Sequence, residues 1–182
     1  MKTVLIIKAA EVRPFAEGKL NNTMVEIAEK TLGNDYKVIK TDVNSGYDVT
    51  EEQEKFKSAD LVIFQYPMYW FSMPSSLKKY MDDVYAYGVF FEGSENYGFS
   101  GLMKGKKYML SLTLNAPESA FNGTDENTFT EKSLDDIIAY MHASQRYVGL
   151  EQLPTFAIHD VFNTDMPVQF SRYEQHLLEV VK

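Results

Sequence analysis

Three short stretches of this sequence carry residue types that could hold a flat ligand bearing a phosphate. The first reads Ala16-Glu17-Gly18-Lys19-Leu20-Asn21-Asn22-Thr23, where an apolar pattern of helical period begins. The start of a helix leaves backbone N–H groups without intrahelical partners, and the helix dipole makes that end attractive to an anion. Gly18 permits close backbone approach, and Asn21, Asn22 and Thr23 supply hydrogen-bond donors. The second stretch is Tyr66-Pro67-Met68-Tyr69-Trp70-Phe71, with four aromatics in six residues. Aromatic faces stiffened by a proline make a wall against which a planar heterocycle can stack. The third is Thr113-Leu114-Asn115-Ala116-Pro117, whose backbone amides could stabilise negative charge developing on a reduced ring. Taken singly, each also fits a plainer role: a helix cap, core aromatics, or a turn announced by Asn and Pro.

These stretches matter only if a fold brings them together. Residues 3–7 form a continuous β-branched and aliphatic run, the pattern of a strand covered on both faces. Leu20, Met24, Ile27, Ala28, Thr31 and Leu32 repeat at helical spacing, and Gly33-Asn34 closes that helix. Residues 36–41 predict a second, more polar strand near an edge. Thr50 and Gln53 have capping-box spacing and open a short helix through Lys57. Residues 59–65 contain Leu61-Val62-Ile63-Phe64, another buried strand. Pro74 suits the first turn of a helix carrying Leu77, Tyr80, Met81 and Val84. Residues 107–113 supply a fourth strand, and Leu134, Ile137, Ile138, Met141, Gln145 and Val148 mark a long helix. Residues 153–161 read as the final strand, its ladder limited at Pro154. Pro167 opens a terminal helix through Val181.

Five strands alternating with five helices predict one α/β domain over residues 1–182, built on a parallel sheet with helices on both faces. Five strands favour the order 2-1-3-4-5, whose ligand crevice lies beyond the carboxyl ends of strands 1, 3 and 4. All three stretches fall at that rim. The connection over residues 8–19 is about twice the usual two to six residues of its kind. A second excursion, at about 85–106, holds Tyr85, Tyr87, Phe90, Phe91, Tyr97 and Phe99. So many aromatics suit a ligand cover, a partner contact, or a structural excursion packed on the core.

Composition narrows the ligand further. The formal net charge is -8, which argues against a nucleic-acid partner and against an anionic membrane surface. There is no cysteine, so thiol redox chemistry, disulfides and thiolate metal sites are excluded, and any redox chemistry falls to a cofactor. The first apolar run stops at Lys8, too early for a signal-peptide core or a membrane span, and a cytoplasmic location is expected.

The motifs resemble the NADPH:quinone oxidoreductases of the modulator of drug activity B type, within the flavodoxin-like quinone reductase family. The resemblance runs through Gly18-Lys19-Leu20-Asn21-Asn22-Thr23, Leu77-Lys78-Lys79-Tyr80-Met81-Asp82-Asp83-Val84, Tyr97-Gly98, Gly105-Lys106-Lys107-Tyr108-Met109-Leu110-Ser111-Leu112-Thr113, Asn115-Ala116-Pro117 and Leu153-Pro154-Thr155-Phe156. It implies a flavodoxin-like three-layer sandwich, FAD as cofactor with FMN as the alternative, NADPH as hydride donor, a quinone as acceptor, and a homodimer. It places FAD contacts on Ala16, Glu17, Gly18, Lys19, Leu20, Asn21, Asn22 and Thr23. Further contacts are expected at Pro67, Met68, Tyr69, Trp70 and Phe71, at Tyr97, and at Thr113, Leu114, Asn115 and Ala116. Tyr97 would act on its own or the neighbouring subunit's flavin. This chain departs from the pattern at Met68-Tyr69-Trp70, where Gly and two Trp are commoner, at Leu114, which replaces a Trp, and in a shorter segment after Val84.

The expected chemistry is ping-pong: NADPH passes hydride to flavin N5 and leaves, and a quinone then takes the hydride. Such a cycle needs orientation and electrostatics more than a general base, so no side chain is assigned as catalytic. His142, His159 and His176 are expected in structural roles, and Glu51-Glu52 and Asp82-Asp83 on solvated helix faces; none has metal-ligand spacing. The alternatives are a flavodoxin-like electron carrier, or an azo or nitro reductase of the same fold.

Overall fold

The computed structural model describes residues 1–14, 16–124 and 129–181. Its elements are β1 (Lys2–Lys8), α1 (Lys19–Leu32), β2 (Tyr36–Asp42), α2 (Val49–Ser58), β3 (Leu61–Pro67), α3 (Ser75–Val84), β4 (Lys107–Thr113), α4 (Leu134–Ile137), α5 (Ala139–Tyr147), β5 (Glu151–Gln152), β6 (Phe156–Ile158) and α6 (Met166–Val180). The sheet runs β2-β1-β3-β4-β5, with β6 also on β4, and every pairing between these strands is parallel. β3 is buried at every residue, as a central strand between two helix layers requires. Val4, Ile6, Ile63 and Met109 pack with α1 and α6 on one face. Leu5, Ile7, Val62, Phe64 and Leu110 pack with α2, α3 and α5 on the other. The expected flavodoxin-like order is therefore present. Among the described residues no helix is long and apolar enough to cross a membrane.

Four local expectations are corrected. The fifth strand position is carried by two short pieces: Lys107 pairs with Glu151, but Ser111 pairs with Phe156, so one extra residue enters around Pro154. This is a bulge forced where proline has no N–H for the ladder. The long helix is broken at Ile138, where Met141 N–H reaches Ile138 O at 2.8 Å in a tightened turn. The second helix starts earlier than the Thr50–Gln53 spacing suggests, because Asp48 caps it by accepting the Glu51 N–H at 3.0 Å. Glu52 also departs from the solvated face expected for it: it is buried and accepts hydrogen bonds from Thr41 Oγ1 at 2.8 Å and Tyr80 O–H at 2.6 Å, beside Lys55. A buried carboxylate needs such donors to offset its desolvation.

The aromatic excursion divides its rings between core and surface. Tyr85 stacks on Phe90 at 4.4 Å, and Phe90 meets Phe56 edge-on at 5.0 Å. Tyr87, Tyr97 and Phe99 face outward. The segment is anchored where Met103 N–H donates to Val148 O and where Gly101 lies against Gly149. A Cβ on Gly101 would stand 2.4 Å from Gly149 N and from the Val148 carbonyl carbon, both backbone atoms that cannot rotate away. Gly101→Ala is expected to destabilise the protein by about 2–3 kcal/mol, read from denaturant unfolding. Gly93→Ala, whose nearest contact is the Tyr87 hydroxyl at an ordinary 3.8 Å, is the control and changes little.

His142 is structural, as expected. Its ring is buried, with Nδ1 2.8 Å from Tyr108 Oη and Nε2 3.1 Å from Asp135 Oδ1, which also accepts from Thr155 Oγ1 at 2.7 Å. The chain ties α4 and α5 to β4 across the bulge. The His142 hydrogen bond holds the Asp135 carboxyl below the usual carboxylate range. A depressed carboxylate adds stability above its unfolded pKa, and that contribution is lost as pH falls through the folded value. Asp135→Asn should therefore flatten the acid limb of the stability–pH curve, measured by thermal unfolding. An unchanged acid limb would count against the tie.

Candidate functional site

β1, β3 and β4 end side by side, so the segments that leave them share one rim. Ala9 N–H donates to Gln65 O at 3.0 Å and Met68 N–H to Thr113 O at 2.9 Å, which stitches the three chain exits together. α1 begins at the same rim. Its N-cap is Gly18 at φ 78, and no side chain caps the first turn. A Cβ on Gly18 would stand 3.3 Å from Ala10 O, so glycine is needed both for the left-handed backbone and for the close approach. The result is a helix N-terminus with open amides, suited to an anion.

The polar side chains of that turn have separate uses. Asn21 is buried; its Nδ2–H donates to Thr113 Oγ1 at 3.2 Å and its Oδ1 accepts from Gln65 Nε2–H at 2.8 Å. Its amide is thus turned inward to lock α1 onto the ends of β3 and β4. Thr23 Oγ1–H donates back to Lys19 O at 3.2 Å. Asn22 stays at the surface, where its Oδ1 accepts from Lys8 Nζ at 2.5 Å, and Lys8 also pairs with Asp42 at 2.7 Å. Lys19 is paired with Glu17, with both side chains exposed. Donation to an anion falls to backbone amides and to Asn22.

The aromatic stretch forms a tight turn. Tyr69 N–H donates to Ser72 O at 2.9 Å and Ser72 N–H to Tyr69 O at 3.0 Å, with Trp70 at φ 48 and Phe71 at φ 63 between them. Both central residues at positive φ are typical of a type I′ turn, which Asn and Gly normally occupy. That backbone costs roughly 1–2 kcal/mol at each of Trp70 and Phe71. The Trp70 side chain is 91% exposed. Phe71 meets Phe129 edge-on at 5.1 Å, Phe129 stacks on Phe121 at 4.6 Å, and Phe121 meets His159 at 5.4 Å. Tyr66 and Pro67 are buried at the strand end, with Met68 half-buried. The exposed wall is therefore narrower than the sequence stretch and consists chiefly of Trp70 and Phe71.

In the third segment Leu114 is buried and donates its N–H to Ile158 O at 3.0 Å. Asn115 is exposed and Ala116 half-buried. Among the described residues their N–H groups make no backbone hydrogen bond, so these are the open amides there. Ala116 O accepts from Asp160 N–H at 3.3 Å and lies 3.2 Å from His159 Nδ1, and Leu114 O accepts from Val161 N–H at 3.3 Å. Through these bonds the connection from β6 to α6 joins the rim as a fourth loop and presents Phe162, 71% exposed. Sequence reading missed it. The available signal was the Asp160-Val161-Phe162-Asn163 run directly after the last strand. Tyr97 alone among the anticipated residues is not at this rim. It packs on Tyr147 at 5.4 Å, near the chain's return into β5 and so toward the amino-terminal end of β4, and is 88% exposed. It borders a groove of about 680 Å³ shared with Met81, Tyr85, Phe91, Arg146 and Tyr147.

A family model described as flavodoxin-like fold matches residues 2–181. The chain belongs to this flavodoxin-like family. It is 36% identical to the NADPH:quinone oxidoreductase MdaB of Haemophilus influenzae over 97% of this chain and 98% of that one. A Klebsiella pneumoniae protein assigned as a quinone reductase superposes with TM-score 0.76 at 26% identity, over 98% of this chain and 83% of the other. General stress protein 14 of Treponema denticola, solved in complex with FMN, shares the fold with TM-score 0.68 at 21% identity, over 98% and 95% of the two chains. Within this flavodoxin-like chain the strained turn makes a direct prediction. Trp70→Gly removes about 1–2 kcal/mol of backbone strain and adds about 0.5–1 kcal/mol of unfolded-state entropy. The variant should be equally or slightly more stable by circular dichroism in denaturant. A clear loss of stability would mean that the indole is packed rather than presented.

Proposed function

We propose that the chain is a flavin-dependent NAD(P)H:quinone oxidoreductase, with FAD as its flavin and NADPH as its donor. The observation that carries this is the meeting, on one rim, of the uncapped α1 N-terminus, the exposed Trp70–Phe71 turn and the open amides of Asn115 and Ala116. Gly18, in the left-handed region and close against Ala10, sets the uncapped α1 N-terminus at this rim, where a diphosphate would meet its amides. The α1 amides and Asn22 would hold the phosphates, while Trp70 and Phe71 would flank the ring. Asn115 and Ala116 would donate toward the ring carbonyl that gains negative charge on reduction. When bound, the flavin supplies the hydride-carrying chemistry at N5 in a ping-pong exchange between NADPH and quinone. The chain's own work is to orient both partners on the same ring face.

FAD is favoured over FMN by the fourth loop. Phe162 lies on the connection into α6, and α6 packs on the same sheet face as α1. An exposed aromatic on a loop of the same rim suits an adenine beyond the diphosphate. A homodimer is favoured by Tyr97, which lies away from its own rim, exposed on a groove it shares with Tyr85, Phe91 and Tyr147. A second copy covering that groove would bury these rings and bring Tyr97 toward the partner's flavin.

The purified protein is expected to be yellow and to release FAD on denaturation, identified by chromatography. Anaerobic mixing with NADPH in a stopped-flow instrument should bleach the flavin at a rate on the order of 10 per second or faster, and added quinone should restore the colour. A flavin that NADPH does not reduce would leave a one-electron carrier. A colourless protein that takes up neither FAD nor FMN would overturn the assignment altogether.

A further inference from the structure

Two side chains outside the anticipated ligand contacts fasten the connection after β1 to the turn after β3. Glu11 and Arg13 form an ion pair. The Arg13 guanidinium lies over the Tyr69 ring, 4.6 Å from its centroid. Glu11 Oε1 accepts from Ser75 Oγ–H at 3.1 Å and from Ser76 N–H at 3.2 Å. Tyr69 is the residue before the Trp70–Phe71 turn, and Ser75 and Ser76 open the helix that follows it. One ion pair on a different segment therefore grips both flanks of the strained turn.

The anchor is itself well placed to resist movement. Arg13 and Ala16 exchange backbone hydrogen bonds at 3.1 and 3.0 Å, which closes a tight turn and fixes the Arg13 backbone. Pro74, the N-cap of α3, offers no side-chain cap, and Glu11 from across the rim takes that place. Non-glycine residues stay in the left-handed region only where their surroundings over-determine the conformation. The Tyr69–Ser72 bonds close this turn internally and Phe129 supports Phe71 from one side. The Glu11–Arg13 pair sets where the turn's two ends stand relative to the β1 connection.

We propose that Glu11 and Arg13 are positioning residues that hold the Trp70–Phe71 turn and so set the width of the slot through which a flat acceptor reaches the ring. This deepens the flavin assignment and rests on it. A half-exposed cation on an aromatic ring is a modest interaction, so its loss should loosen the slot without abolishing turnover.

Trp70 is the only tryptophan in the chain. Its indole N–H gives one resonance in a proton–nitrogen correlation spectrum of the full-length protein, and that resonance reports on the turn with or without flavin. Arg13→Ala and Glu11→Gln should each shift it and increase its fast motion. They should raise KM for para-benzoquinone and menadione by about two- to fivefold, with kcat nearly unchanged. Combining them should cost little more than the worse single change, because the two act as one unit. Arg13→Lys, which keeps a cation over the Tyr69 ring, should restore part of the effect. If uncapping α3 makes Glu11→Gln unstable, Arg13→Ala leaves the cap in place and decides alone. An indole resonance indifferent to Arg13→Ala, or single effects that simply add, would overturn the proposal. A wild-type protein without flavin would remove the KM comparison and the proposed function together, while the resonance would still decide whether the clasp holds the turn.

Discussion

The rim of this protein depends on one buried side chain, Asn21. Its amide bonds Thr113 and Gln65 at once and so fixes the first turn of α1 against the ends of two neighbouring strands. A buried amide left without partners costs about 1–3 kcal/mol. α1 therefore cannot slide or rotate far without exposing that penalty. The open amides of the helix N-terminus inherit from this lock their position against the exits of β3 and β4, which the strand ladder and the bond from Met68 to Thr113 hold side by side.

Around that fixed centre the loops are held in very different ways. The loop after β4 is secured by backbone bonds, from Leu114 to Ile158 and from the β6–α6 connection back to Leu114 and Ala116. The loop after β3 is instead held in an unfavourable backbone conformation, with its largest ring almost fully in solvent. A strained turn that presents an exposed indole is a poor solution for stability and a reasonable one for a ligand. The opposite end of the molecule shows no such conflict: the excursion's inner rings, Tyr85 and Phe90, simply extend the core, and the contact of Gly101 with Gly149 draws it close.

Most of the fold was legible because its signals are local. Alternating apolar runs of period two and 3.6 placed β1, β3, β4, α1, α3 and α6, and the chain order implied the sheet order. The errors fell where a long-range choice overrode the pattern. Pro154 was seen to interrupt the last strand, but the one-residue bulge that resumes pairing at Phe156 depends on β4. Glu52 read as a solvated helix residue because nothing local shows that Thr41 and Tyr80 will meet it. At the rim, Gly18 and the Tyr66–Phe71 stretch stood out by residue type and by their places at a helix start and a strand end. The loop at Asp160–Phe162 was not, since its place at the rim follows from hydrogen bonds to residues more than forty positions earlier.

By itself the sequence determined the element order, the parallel sheet, the absence of thiol chemistry, and which three segments leave the sheet at a common rim. Each follows from residue types and their spacing, which act over a few neighbours. Only the tertiary structure decided how those residues divide their work. It turned Asn21 inward and left Asn22 outside, buried Tyr66 and exposed Trp70, and sent Tyr97 away from the rim. Those outcomes depend on which partners arrive from distant parts of the chain to satisfy a buried polar group or cover a ring, and no local pattern encodes that pairing.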